Sequence, residues 1–413
     1  MKLDTRRDQA GAIHDFIMEK SKAPAAARSF REDPFWKGLR ATGTELWLDT
    51  GDIDAAAGQW TREFTALTTN NTLLNKEVQK GIYDDVIREA GGILEGLSPD
   101  QRVMEIAFIL NALHGLRLVK TFNARVSVEL HTATANDVEA AVTYGRRFAR
   151  ISPASFIVKV PLTPAGLIAT RALRAEGIPV NFTLGFSARQ NYLAARFAEP
   201  SYVNVFLGRL NSYVSDNGLG DGLLVGEKAT LASQAAVARS SKTQKQATRQ
   251  IAASMRGGSQ VRDLAGVDVM TMPVATAAEA RSGLDGTWES RVKASYAVTF
   301  AAGVDETRAG VPALWEITEA VEKLAGSLTG KPPASPEELV ERARESGARD
   351  LLPALGDADL AAIAADGKIP RHSRWADRIA RGELSVDALC TAAGLASFTA
   401  DQAALDNRIR KLL

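Results

Sequence analysis

The chain has 413 residues, 45% hydrophobic and 24% charged, with 50 Lys+Arg against 49 Asp+Glu. This is globular composition, which excludes a disordered or collagen-like chain, and a net charge of +1 argues against a nucleic-acid footprint. A single cysteine, Cys390, excludes an intrachain disulfide, and the four dispersed histidines (His14, His114, His131, His372) have no metal-ligand spacing, so neither metal nor cofactor is expected.

Residues 1–44 read as an N-terminal helical segment. Its first twenty residues carry charges throughout and lack the apolar stretch of a secretory signal; no run of about 18 apolar residues occurs in the chain, so no membrane span is expected. The expectation is a cytoplasmic enzyme. Eight β-rich runs follow: ELWLDTG (45–51), FTALTTN (64–70), RVSVELHT (125–132), SFIVKVP (155–161), IPVNFTLGF (178–186), YVNVFLG (202–208), RQIAASMR (249–256) and VDVMTMP (267–273). Helical patterns such as DVEAAVTYGRRFARI and TPAGLIATRALRAEG separate most of them. Strand–helix alternation repeated eight times predicts an α/β fold, a (β/α)8 TIM barrel over residues 45–300, with additional N-terminal and C-terminal helices. The interval 71–124 is too long for one crossover and should hold two or three helices. Beyond about 285 strand signals are sparse, apart from KASYAVTFAAG (293–303). Residues 301–413 are expected to be a helical region packing on the barrel. VPALWEITEAVEKLAGSL (311–328) has helical periodicity, GKPPASP (330–336) reads as a linker, and Ser335 with Glu338 forms a capping-box pattern.

Neighbouring strand residues point to opposite faces, so the parity of the polar residues is informative. Trp47 and Asp49 oppose Leu46 and Leu48; Ser127 and Glu129 oppose Val126, Val128 and Leu130; Lys159 opposes Val158 and Val160. Asn181 and Thr183 oppose Val180 and Phe182, Asn204 and Phe206 oppose Val203 and Val205, and Ser254 shares a parity with Arg256. The helix-covered outside of a barrel is apolar, so the polar set should face inward, much of it near the C-terminal strand ends where barrel active sites lie. Singly, each residue has a structural explanation, such as an ion pair for Glu129 or a turn brace for Asp49. Together they put several charges inside a barrel, which packing does not call for.

Burial favours the neutral, nucleophilic form of an amine, and a buried lysine can form a Schiff base with a carbonyl. Lys159 is the candidate nucleophile. Asp49 and Glu129 are candidate proton shuttles, with Thr183 as a relay through water. Asn70 and Asn181 suit substrate hydroxyls, and Arg209 and Arg256 suit a phosphate.

These residues sit in motifs that resemble the transaldolases, class I Schiff-base aldolases. LDTGDI (48–53) resembles the first-strand motif, LTTNNT (67–72) the T-[ST]-N-P-[ST] signature, and VSVEL (126–130) the strand carrying the family's glutamate. IVKVPLTPAGLIATRALRAEGIPVNFTLGFSARQ (157–190) is the most specific stretch; VFLGR (205–209), SMR (254–256) and SFTADQAALDNRI (397–409) are similar to later family segments. The resemblance implies Lys159, Asp49, Glu129 and Thr183 as catalytic residues. It implies Asn70, Asn181, Ser187, Asn204, Phe206, Arg209, Ser254 and Arg256 as substrate-binding residues, the last two with Arg209 at the phosphate. It further implies no metal, sugar-phosphate substrates, no nucleic-acid or membrane partner, and a place in the pentose phosphate pathway, and it leaves a homodimer open. The implied reaction moves a dihydroxyacetone unit from sedoheptulose 7-phosphate or fructose 6-phosphate to an aldose phosphate; the alternative is an aldolase of the same kind acting on another ketose.

Four features depart from the family pattern. Asn71 stands at the signature proline, Asn204 at a serine, Leu130-His131 follows Glu129, and residues 310–396 do not map. His131 is an optional substrate contact, otherwise a hydrogen-bonded loop residue. GLGDGLLVGEKAT (218–230) breaks the P-loop pattern and reads as a flexible loop after the sixth strand.

Overall fold

Eight parallel strands pair in sequence order and β8 closes back on β1. They are β1 (Glu45–Asp49), β2 (Phe64–Thr68), β3 (Arg125–Glu129), β4 (Phe156–Pro161), β5 (Val180–Thr183), β6 (Tyr202–Phe206), β7 (Arg249–Ala253) and β8 (Val269–Pro273). The computed structural model describes residues 5–22, 28–242, 244 and 247–413, without the side chains of 5–8. It is the expected (β/α)8 barrel with extra helices.

The strands are shorter than the sequence runs because polar turn chemistry ends them. Thr69 and Asn70 leave β2 so that Asn70 caps the helix Asn71–Gln79 through a 2.8 Å bond from the Leu73 N–H. Thr163 likewise caps Pro164–Ala175, with Pro164 in the first turn. Gly166 in that turn has no substitute: a Cβ there would lie 2.1 Å from the Pro161 carbonyl oxygen. β7 ends at Ala253, and Ser254 at φ 60° turns the chain, so Arg256 stands beyond the strand rather than at its end.

The interval 71–124 holds three helices, Asn71–Gln79, Asp84–Ile93 and Pro99–Phe122. Residues 293–303 form no strand, only a single antiparallel bridge between Phe300 and Gly220. The expected loop over 218–230 is a loop only to Leu224, because the helix Val225–Ser241 begins at Val225. Gly226 packs there against the Leu207 backbone, where a Cβ would come within 2.2 Å of its carbonyl. Ser335 caps Pro336–Glu345 as expected, but the Glu338 carboxylate accepts from the Ala334 N–H rather than from Ser335.

The outward strand faces, including Val126, Val128, Val158, Val160, Phe182, Val203 and Val205, are fully buried against the helices. The N-terminal end of the barrel interior is filled by an ionic plug. Glu45 accepts from Thr65 at 2.6 Å, Trp47 at 2.9 Å and Arg125 at 2.6 Å, and it pairs with Arg249. The Trp47 and Tyr202 rings pack edge-on beside it, with centroids 4.8 Å apart. Burial pushes the Glu45 carboxyl up, but these hydrogen bonds and the Arg249 charge outweigh it and hold it at about 2.

The final helix, Val386–Leu412, crosses the other end of the barrel and packs on Asn71–Gln79 and Asp357–Asp366. No described helix is long and apolar enough to cross a membrane.

Candidate active site

The C-terminal mouth of the barrel holds a cavity of about 200 Å³. Its inner wall carries Asp49, Lys159, Asn181, Thr183 and Asn204, each on or at the end of a strand. Register brings this set together: Glu129 on β3 pairs with Lys159 on β4, which pairs with Asn181 on β5. Period-two alternation then turns all three side chains inward.

Lys159 is buried, with its Nζ 3.4 Å from Glu129 Oε1 and 3.4 Å from the Thr69 carbonyl. Its surroundings are more polar than the apolar flanks of its strand suggest; one apolar neighbour is Phe398, whose ring centroid lies 5.7 Å from Nζ. Glu129 Oε2 accepts from the Asn71 N–H at 3.0 Å, while Oε1 faces the Lys159 ammonium. Asp49 accepts from the Thr68 hydroxyl at 2.7 Å, and that hydroxyl meets Thr271 at 2.7 Å. Burial raises the Asp49 and Glu129 carboxyls above the ordinary carboxylate value, against the opposing pull of the Lys159 charge. The Thr183 hydroxyl is buried and has no hydrogen-bond partner.

Asn204 donates to Asn181 Oδ1 at 3.1 Å and accepts weakly from the Gly185 N–H, and Asn181 in turn donates to Ser127 at 3.1 Å. The asparagine that replaces the family serine is therefore part of a side-chain chain along the wall. Asn71, at the signature proline, bonds through its side chain to Leu130 and Asn111.

The outer end is cationic. Arg209 stands in the first turn of Leu207–Asp216, buried, with Nη1 unpartnered and its guanidinium 5.5 Å and 5.7 Å from the Phe206 and Phe398 centroids. Burial and the neighbouring Arg256 charge lower it to about 10. Arg256 is exposed, and Ser254 lies beside it on the wall. Gly208 permits this juxtaposition, because a Cβ there would lie 2.3 Å from the Ser254 carbonyl and 2.5 Å from Arg256 Cγ.

Of the twelve residues singled out from the sequence, ten line the cavity and Glu129 sits directly behind Lys159. Ser187 is placed elsewhere. It caps Ala188–Phe197 and donates to Asp387 at 2.6 Å, fully buried, so the structure gives it a packing role rather than a place at the cavity. His131 is a bonded loop residue, accepting from Ala133 at 3.1 Å and meeting Asp406 at 3.3 Å.

Sequence reasoning missed Thr68, Thr72, Lys368, Phe398 and Asp401, all on the cavity wall. Strand parity could have found Thr68, and Phe398 and Asp401 are one helical turn apart in the F-x-x-D-Q tail. Lys368 carried no signal. Among the described residues no group of three His, Cys, Asp or Glu side chains is placed to hold a metal ion.

Residues 46–314 match the family model described as transaldolase/fructose-6-phosphate aldolase. A probable transaldolase of Thermus thermophilus is 42% identical over 143 residues, 32% of this chain and 62% of that protein. One from a second strain of the same species is 39% identical over 180 residues, 42% of this chain and 67% of that protein. A probable transaldolase of Exiguobacterium sibiricum is 36% identical over 210 residues, 50% of this chain and 84% of that protein. The aligned stretch thus spans about two thirds of the length of the Thermus relatives. The closed barrel, the cavity at its C-terminal mouth and a family match over most of the barrel agree, and the chain belongs to the transaldolase/fructose-6-phosphate aldolase family.

Proposed function

We propose that the protein transfers a dihydroxyacetone unit from a ketose phosphate, sedoheptulose 7-phosphate or fructose 6-phosphate, to an aldose phosphate through a Schiff base on Lys159. The observation that carries this reading is the polarity of the cavity: a buried amine between two carboxyls of raised pKa at one end, and paired arginines at the other.

Lys159 Nζ, as the free amine, attacks the C2 carbonyl. Glu129, through a water held by Thr183, supplies the proton with which the carbinolamine hydroxyl leaves as water. The iminium that results accepts the electron pair of the C3–C4 bond as Asp49 takes the C4 hydroxyl proton. The aldose phosphate departs and the three-carbon enamine stays on Lys159. An acceptor aldehyde then forms the new C–C bond, its carbonyl oxygen taking the proton back from Asp49. A carboxyl raised above its ordinary value suits both directions of this shuttle. Asn70 keeps its amide N–H groups for a substrate hydroxyl, since its Oδ1 serves the helix cap. Asn181 and Asn204 line the path of the sugar chain, Phe206 walls it, and Arg209, Ser254 and Arg256 take the phosphate.

The second reading is an aldolase that releases dihydroxyacetone to water, and the matched family description names both activities. Turnover of fructose 6-phosphate with and without erythrose 4-phosphate separates them. Transfer predicts ketose consumption only with the acceptor present; free dihydroxyacetone formed at the same rate without it favours the aldolase. Lys159→Ala should show no turnover in either assay, and wild-type activity in that variant would exclude the mechanism.

A further inference from the structure

We propose that Lys368 is a third cation of the phosphate-binding end, contributed by the C-terminal region rather than by the barrel. The inference rests on the reading above that the cavity accepts a phosphorylated sugar.

Among the described residues six charged side chains line the cavity: Asp49, Lys159, Arg209, Arg256, Lys368 and Asp401. At the inner end Lys159 is offset by Asp49 and by Glu129 behind it. At the outer end three cations face one carboxylate, and Asp401 is already engaged by the Thr72 hydroxyl at 2.5 Å. The surplus of two positive charges matches a phosphate monoester, which carries about −1.5 to −2 near pH 7.

Lys368 is exposed at the mouth, and among the described residues it has no ion-pair partner. The nearby carboxylate of Asp366 is taken by Arg371 and Arg374. The segment that carries Lys368 is tied to the helix that carries Arg209. Asn217, the cap of Leu207–Asp216, donates to the Pro370 carbonyl at 3.1 Å and accepts from the His372 N–H at 2.7 Å. Tyr213 on the same helix meets His372 Nδ1 at 2.7 Å. Arg209 and Lys368 are thus fixed to one element. A planar arginine pair suits bidentate grip, and a lysine on a flexible stem adds a point charge that follows the phosphate as the sugar length changes. Lys368 lies outside the residues that match the family model, so its contribution belongs to this chain's own C-terminal region.

The test is calorimetric titration of wild type, Lys368→Ala and Lys368→Arg with inorganic phosphate at two ionic strengths, alongside KM and kcat for fructose 6-phosphate. The expected result is phosphate affinity weakened about tenfold in Lys368→Ala and restored to within about threefold in Lys368→Arg, with less salt dependence in the alanine variant. KM should rise in parallel while kcat stays within about twofold. Equal phosphate affinity in wild type and Lys368→Ala would overturn the proposal. So would a loss that arginine does not restore, since that marks a local structural effect. Failure of the Schiff-base reading is separate: it would show as no trapped ketose on Lys159 while phosphate binding still depended on residue 368.

Discussion

Asp387 and Arg189 join the C-terminal helix to the barrel through two charge-assisted hydrogen bonds of 2.9 and 2.8 Å, both side chains buried. Ser187 and Ser385 donate to the same carboxylate, and Asp350 pairs with the remaining arm of Arg189. Every partner is satisfied, which is the condition under which a buried pair is tolerated. Removing one side leaves the other charge uncompensated. Asp387→Ala should therefore destabilise the protein by about 3–5 kcal/mol. Hydrogen exchange should accelerate first in 386–402, the stretch that brings Phe398 and Asp401 to the cavity. Denaturant unfolding checks the first expectation and exchange mass spectrometry the second.

The Glu45 plug governs stability at the far end of the barrel. Its carboxyl is held at about 2, below the unfolded value near 4.5, so its contribution is fully present above about pH 4.5 and is lost as pH falls towards 2. At about 1.4 kcal/mol per unit the contribution is about 3 kcal/mol. Glu45→Gln should lower stability at neutral pH and flatten the stability–pH curve between 4.5 and 2. Thermal melts across that range read both effects.

Asp49 and Glu129 carry the opposite shift. Asp49 must start as the carboxylate, so its raised carboxyl places the acid limb of kcat/KM above the ordinary carboxylate value of about 4, whereas Glu129 must start protonated and bears on the alkaline limb. The Asn71 N–H is one of the groups that hold Glu129 down, and a proline has no N–H to offer. Asn71 is the first residue of its helix, where proline is well tolerated. Asn71→Pro should thus fold, and should move the alkaline limb, set by protonated Glu129, to higher pH. A pH profile unchanged from wild type would show that Glu129 does not set that limb.

Gly208→Ala tests the contact that sets Arg256 beside Arg209. The new methyl group would meet the Ser254 carbonyl and Arg256 Cγ well inside contact distance, so the SMR turn must move. The expected outcome is a KM for phosphorylated substrate raised at least about tenfold, with a smaller change in kcat. Steady-state kinetics decide it.

The barrel was legible because its alternation is redundant: strand–helix repeats recur eight times, and in six of the strands a polar face opposes an apolar one. Lys159, Glu129 and Asn181 were legible for the same reason, since strand period fixes which way a side chain points. Ser187 lies off the cavity as a helix cap, and an N-cap serine and a substrate serine look alike in sequence; its partner Asp387 lies 200 residues away. Residues 293–303 misled because alternating Val298 and Phe300 satisfy a strand pattern, whereas β8 already closes the barrel and leaves them no partner beyond Gly220. Lys368 was invisible because its position depends on how a helical region beyond the barrel docks on Asn217 and Tyr213.

The most direct measurement is borohydride trapping with fructose 6-phosphate, read by peptide mass spectrometry. The account predicts a reduced dihydroxyacetone adduct on the peptide containing Lys159, absent in Lys159→Ala. No adduct on that lysine from fructose 6-phosphate or from a panel of other ketoses would contradict it.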